Sequence, residues 1–235
     1  MKREKYVPEL FTPLRQDSGI IKVPHVIREA SGIRIFGKRI KSILYTTDVA
    51  IIANNDADAV LVVHPWTPNT AILNAIKQVA SVPVFAGIGG GLTSGNKSVK
   101  VGAFAEENGA FGVVLNSPVT LETIRAVEES VDLPIIYTVV DYRDDLKDRI
   151  EAGVDMFNIS GGAETPELVR KVREQFPQFP IMASGGRTET SIMRTIESGA
   201  NAITFTAYGA SEKLFHKKME HYRQMDAETQ KDQEE

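Results

Sequence analysis

From residue 43 onward, short apolar runs alternate with longer amphipathic stretches, and the alternation follows two templates. In one, a hydrophobic residue and a proline lead into the run: Val82-Pro83-Val84-Phe85-Ala86, Leu133-Pro134-Ile135-Ile136-Tyr137 and Phe179-Pro180-Ile181-Met182-Ala183. In the other, polar residues and a glycine lead in: Glu107-Asn108-Gly109 before Ala110-Phe111-Gly112-Val113-Val114-Leu115, Glu151-Ala152-Gly153 before Val154-Asp155-Met156-Phe157, and Glu197-Ser198-Gly199 before Ala200-Asn201-Ala202-Ile203. Asn55-Asp56-Ala57-Asp58-Ala59-Val60-Leu61-Val62-Val63 is a glycine-free relative. Both templates recur about every 45–50 residues, a period that signals internal repetition.

The runs are continuously apolar, as expected of strands buried on both faces in a parallel sheet. They predict strands at 43–46, 59–63, 82–86, 111–115, 134–139, 154–159, 180–184 and 201–205. The stretches between them read as helices, for example 164–176 and 188–197, each closed by glycine just past its last turn. A proline at the first residue of a strand removes no ladder bond. Strands alternating so evenly with helices predict a closed (β/α)8 barrel over 43–225, rather than an open doubly wound sheet.

Residues 1–42 form an N-terminal extension. Within it, Gly32-Ile33-Arg34-Ile35-Phe36-Gly37-Lys38-Arg39-Ile40 alternates apolar and basic residues around Gly37 and reads as a hairpin plugging the barrel bottom. Phe11-Thr12-Pro13-Leu14-Arg15-Gln16-Asp17-Ser18-Gly19 reads as loop. The extension either folds beneath the barrel or reaches a neighbouring subunit in a homodimer. Residues 214–225 read as the eighth helix, and the polar residues 226–235 as a disordered tail.

Composition narrows the function classes. The chain has 235 residues, 42% of them hydrophobic, enough for one barrel with a large core. Its formal net charge of −4 offers no basic footprint for direct nucleic-acid contact. There are no cysteines, which removes disulfides, thiolate metal sites and a cysteine nucleophile. No secretory leader and no apolar run of about 18 residues is present, so a cytoplasmic protein without membrane contact is expected.

In such a barrel the chemistry sits at the carboxyl ends of the strands. There the chain places Thr46-Thr47-Asp48, His64-Pro65-Trp66, Gly87-Ile88-Gly89-Gly90-Gly91, Asn116-Ser117, Thr138-Val139-Val140-Asp141, Asn158-Ile159-Ser160-Gly161-Gly162, Ser184-Gly185-Gly186-Arg187 and Thr204-Phe205-Thr206-Ala207. This rim is rich in small and polar residues, in contrast to the apolar runs beneath it. Gly185 and Gly186, between a buried strand and a helix, suit an anion held by backbone N–H groups, with a ligand-free tight turn as the alternative. Gly161 and Gly162 read either as a second such nest or as a turn into the helix near Thr165. Gly89-Gly90-Gly91 reads as a loop that moves over a ligand or merely links elements.

Asp48 and Asp141 follow the first and fifth strands, on opposite sides of the rim. They are candidates for a general acid–base pair across a ligand, or for ordinary helix N-caps. His64 is the histidine at a strand end and suits proton transfer at neutral pH, while His25, His216 and His221 lie elsewhere. Asn116, Asn158 and Ser160 are candidate ligands to substrate hydroxyls or carbonyls. No strand ends in lysine, which speaks against Schiff-base chemistry, and no His/Asp/Glu set has metal spacing. No protein-bound metal is expected; Mg²⁺ enters only on a substrate phosphate.

Ala183-Ser184-Gly185-Gly186, a helix, Ser198-Gly199-Ala200-Asn201-Ala202 and a short last strand resemble the end of the phosphate-binding TIM barrels. That superfamily includes the histidine- and tryptophan-biosynthesis isomerases and cyclases, the thiazole synthase and the sugar-phosphate epimerases. The close likeness covers roughly residues 179–209. It implies a phosphate held after the seventh and eighth strands, at Gly185, Gly186, Thr206 and Ala207; from their places at the strand ends, Ser184, Arg187, Gly161 and Gly162 are further candidates for phosphate contact. Arg187 and Phe205-Thr206-Ala207-Tyr208 depart from the usual pattern. The resemblance also implies aspartates at the first and fifth strands, met here by Asp48 and Asp141. The expected protein is then an enzyme acting on a small phosphorylated metabolite, most simply a sugar phosphate, by isomerisation, epimerisation or a related lyase or hydrolase step. The alternative is a regulator that binds such a metabolite without turnover, resembling glycerol-phosphate-responsive antiterminators.

Overall fold

The computed structural model describes residues 6, 8, 20–63, 70–90, 93–142 and 146–207. A short antiparallel hairpin, β1 (Ile33–Ile35) and β2 (Lys38–Ile40), precedes eight strands: β3 (Ser42–Tyr45), β4 (Ala59–Val62), β5 (Val84–Gly89), β6 (Gly112–Asn116), β7 (Ile135–Val139), β8 (Met156–Ile159), β9 (Ile181–Ser184) and β10 (Ala202–Phe205). All neighbours among the eight are parallel, and β10 closes the barrel by pairing with both β9 and β3. Helices α1 (Val49–Ala53), α2 (Thr70–Val79), α3 (Asn96–Glu107), α4 (Leu121–Glu128), α5 (Leu146–Glu151), α6 (Thr165–Gln175) and α7 (Glu189–Glu197) follow β3 to β9 in turn. The fold is a (β/α)8 barrel with an N-terminal extension. The eighth helix and the tail expected from the sequence lie outside the described residues.

Both sequence templates have a physical origin in this architecture. Pro83, Pro134 and Pro180 each stand one residue ahead of a strand, where no N–H is needed. Each still offers its carbonyl to the preceding strand, accepting from Val60, Val113 and Phe157 N–H at 2.9, 2.9 and 3.0 Å. The glycine template marks helix ends: Gly109, Gly153 and Gly199 have φ of 69, 114 and 109°, the left-handed region that glycine enters without a Cβ penalty. The following N–H then closes back onto the helix, as from Ala110 to the Ala105 carbonyl at 2.9 Å.

Side-chain alternation divides the core in two. One set of strand residues packs inside the barrel: Ile43, Ala59, Leu61, Phe85, Val114, Ile136, Met156, Met182 and Ala202. The other, including Leu44, Val60, Val113, Ile135, Phe157, Ile181 and Ile203, packs outward against the helices. Ile35 and Ile40 of the hairpin belong to the inner cluster, so β1–β2 seals the barrel bottom. The hairpin turns on Phe36-Gly37, both at positive φ (44 and 81°), as a two-residue primed turn requires. The Phe36 ring stands edge-on to Phe111, with centroids 5.2 Å apart, which ties this unfavourable backbone to the barrel floor.

Asp58 locks the hairpin's exit to the first barrel strands. Its Oδ2 accepts from Lys41 N–H (2.8 Å), Ser42 N–H (2.9 Å) and Ser42 Oγ–H (3.0 Å). Replacing Asp58 by alanine strands these donors in a half-buried site, and we expect a loss of about 2–3 kcal/mol in denaturant unfolding. A loss under about 0.5 kcal/mol would show that water replaces the carboxylate at no cost.

Candidate functional site

Alternation along the strands also dictates what lines the barrel's carboxyl mouth. Two residues above the inner apolar layer, β3 presents Tyr45, the chain after β4 presents Val63, and β5 presents Gly87. The other half of the ring is polar: Asn116 on β6, Thr138 on β7, Asn158 on β8, Ser184 on β9 and Thr204 on β10. Four of these polar groups are linked in two short chains. Asn158 Nδ2 donates to Thr138 Oγ1 at 3.1 Å. Ser184 Oγ donates to Ser160 Oγ at 3.1 Å, and Thr204 Oγ1 lies 3.5 Å from Ser184 Oγ. Asn158 is only 6% exposed, yet its Oδ1 has no hydrogen-bond partner among the described residues. A buried acceptor left unpaired costs stability and calls for an explanation, such as a ligand.

The loop after β9 behaves differently at its two glycines. Gly185 does not present a bare N–H, because it donates to the Thr204 carbonyl at 3.0 Å and extends the β9–β10 ladder. It is glycine because a Cβ there would meet Ile203 at 2.7 Å and Ile192 at 2.8 Å. Gly186 is exposed at φ 78°, and its N–H has no partner among the described residues. The start of α7 is capped by its own side chains at the Thr188 and Ser191 N–H groups. Thr188 Oγ1 accepts from Ser191 N–H at 3.1 Å, Ser191 Oγ accepts from Thr188 N–H at 3.2 Å, and the same hydroxyl donates to Gly185 O.

A pocket of about 530 Å³ is formed by Gly186, Arg187, Ile192, Phe205, Thr206, Ala207 and part of residues 20–24. Its lining includes Lys22 and Arg187 and no carboxylate. The pocket lies on the outer flank of the rim, where Ile21, Ile192 and Phe205 pack outside the barrel. Of the residues singled out in the sequence, the structure thus gathers Gly186, Arg187, Thr206 and Ala207 around one pocket, while Ser184 belongs to the polar half-ring. Lys22 was not singled out, because nothing local in residues 20–24 announces where that segment docks.

The remaining candidates take other positions. Asp48 is exposed and caps α1, its Oδ1 accepting from Ala50 N–H (2.9 Å) and Ile51 N–H (3.3 Å). Asp141 is half-buried, two residues beyond β7. Gly161 donates its N–H to Thr165 Oγ1 at 3.0 Å, and that hydroxyl donates to the Gly162 carbonyl at 2.9 Å. This arrangement is a turn into α6, and it leaves Gly161 N–H engaged. Gly89 lies within β5, and Gly90 N–H donates to Thr93 O at 2.8 Å. His25 is an exposed residue of a 3-10 helix, His25–Glu29. His64, Trp66, Gly91, Tyr208, His216 and His221 lie outside the described residues. Among the described residues no three His, Asp or Glu side chains gather as for a metal ion, and no helix is long and apolar enough to cross a membrane.

No protein-family model and no curated protein matches the sequence. Solved structures do match. A mandelate oxidase variant with a monooxide FMN adduct is 16% identical, with a TM-score of 0.61 over 85% of this chain and 72% of its own. The 2,3-dimethylmalate lyase, a member of the PEP mutase/isocitrate lyase superfamily, is 14% identical, with a TM-score of 0.59 over 85% of each chain. Thiamine phosphate pyrophosphorylase from Pyrococcus furiosus is 17% identical, with a TM-score of 0.54 over 71% of this chain and 84% of its own. The likeness is one of fold. These three are an oxidase, a lyase and a pyrophosphorylase, and none is one of the isomerases, cyclases or epimerases that the end of the sequence resembles. One barrel hosts many chemistries, so function must be argued from the site.

Proposed function

We propose that this protein is an enzyme that binds a small phosphorylated metabolite across the carboxyl mouth of the barrel. The observation that carries the reading is the pocket after β9 and β10. Lys22, Arg187, Gly186 and Thr206 all line it, and no carboxylate does. A phosphoryl group would take this pocket, held by Gly186, Arg187, Thr206 and Ala207. The rest of the substrate would reach over the polar half-ring, with hydroxyl groups answering Asn116, Asn158, Ser160 and Ser184. This half-ring is neutral, which suits a polyol or sugar skeleton better than a second strong anion. That solved neighbours of the same fold are enzymes, one with a phosphate compound in its name, supports the same direction.

The chemistry suited to this arrangement is proton transfer: isomerisation, epimerisation or a related lyase step. Asp141 and His64 are the proposed proton carriers. Asp48 would have to release two backbone donors before acting as one, which costs it its helix cap. That engagement favours a second reading, in which the protein binds the phosphorylated metabolite without turning it over and acts as a regulator.

A thermal-shift screen against inorganic phosphate and sugar, triose and nucleoside phosphates tests the proposal, repeated with Gly186→Asp. At about 100 times Kd, a ligand specific to the native state adds about 2.7 kcal/mol. We expect phosphorylated compounds alone to stabilise the protein, and the shift to vanish in the variant. No shift from any phosphate, with the variant still folded, would overturn the phosphate reading. Turnover of a bound compound, lost in Asp141→Asn or His64→Asn, separates the enzyme from the regulator.

A further inference from the structure

The anion pocket has one wall that does not belong to the barrel. Residues 20–24 of the extension run past the start of α7 and the end of β10, bringing Lys22 to the pocket opposite the loop after β9. This placement is built rather than incidental. Ile21 is buried and pairs with the chain after α1: its N–H donates to Asn54 O at 2.8 Å, and its carbonyl accepts from Asp56 N–H at 3.2 Å. Val23 N–H donates to Asp56 Oδ1 at 2.6 Å. Both neighbours of Lys22 are thus pinned, while its own side chain makes no ion pair with a described residue. Further along, the 3-10 helix packs on α7, and Gly32 N–H donates to Asn201 O at 2.7 Å, which holds the segment along the barrel wall.

Building on the phosphate reading above, we propose that Lys22 is a specificity residue of this pocket. It supplies a second positive charge beside Arg187, so the pocket selects a dianionic phosphate monoester over a tetrahedral monoanion. A phosphate monoester loses its second proton near pH 6 and carries close to two charges at pH 8, whereas a sulfate monoester of the same shape carries one. One guanidinium suffices for the monoanion; the additional charge of the dianion is met by the ammonium from the extension. The N-terminal segment is on this account part of the binding site and not only its scaffold.

The test is a ligand-observed NMR titration of the full chain with methyl phosphate and methyl sulfate at pH 8. It is run on the wild type, Lys22→Gln and Arg187→Gln, with unfolding midpoints as the fold control. The wild type should prefer methyl phosphate. Lys22→Gln should weaken it about tenfold, the scale of one charge-assisted hydrogen bond, and bring the two esters close to equal affinity. Arg187→Gln should weaken both. An unchanged preference in folded Lys22→Gln, with binding still lost in Arg187→Gln, overturns the role of Lys22 and leaves the phosphate site standing. Failure of the wild type to bind either ester overturns both.

Discussion

Phe85→Ala is expected to destabilise the protein by about 3–5 kcal/mol, lowering the unfolding midpoint on the order of 10 °C. Phe85 is fully buried in the inner layer of the barrel and is among the largest side chains there. Its ring lies 6.2 Å, centroid to centroid, from Phe111, which in turn meets Phe36 of the hairpin. Gly112 makes room for it, since a Cβ at that position would come within 3.1 Å of the Phe85 ring. The surroundings are strands of a closed barrel, which cannot collapse into the space without shifting register all round. The void should persist, and its full cost should appear in denaturant unfolding. A loss under about 1 kcal/mol would mean that the hairpin sinks inward to fill it.

The second prediction concerns Asn158 and separates its two substitutions. Asn158→Asp places a carboxyl group in a buried position whose only side-chain partner among the described residues is the Thr138 hydroxyl, and it should cost about 3 kcal/mol at pH 7. Burial raises the folded-state pKa of the new carboxyl above its unfolded value of about 3.9. The deficit is therefore smallest below pH 4, deepens as the pH rises toward the raised folded value, and is constant beyond it. The wild type lacks this slope. Asn158→Leu removes the unpartnered acceptor together with its desolvation cost, and should stay within about 1 kcal/mol of the wild type. Stabilisation by a hydroxylated phosphate ligand should nevertheless be lost. If Asn158→Leu binds the ligand as the wild type does, the amide is not a recognition group.

Why the strands were legible and part of the site was not has a physical answer. A strand buried on both faces must be apolar throughout, and a helix returning to the next strand needs a glycine to turn; both leave local marks. The third barrel strand is where the reading stopped short, at residue 86, whereas β5 runs to Gly89. Gly87 and Gly89 look like loop residues but are small because neighbours press on the strand. A Cβ at Gly87 would meet Val63 at 2.9 Å, and one at Gly89 would meet Ser98 at 2.1 Å. Crowding by residues far along the chain leaves no local sign beyond the glycine itself. The inward-facing Asn116 and Asn158 follow from period-two alternation once the strands are placed. The commitment of Gly185 N–H to Thr204, and the arrival of Lys22 at the pocket that Arg187 also lines, are tertiary facts with no counterpart in spacing. Asp48 announced itself as a carboxylate at a strand end, a position that serves a helix cap and a proton carrier equally well.

The sealed floor bears on the order of events in any reaction this vessel performs. With Ile35 and Ile40 of the hairpin packed into the inner layer, a ligand at the carboxyl mouth has no passage down the barrel axis. A product must then leave by the route its successor enters, so departure and arrival are mutually exclusive. Saturating substrate cannot push a product out from behind, and steady-state inhibition by product should be competitive with the substrate it resembles.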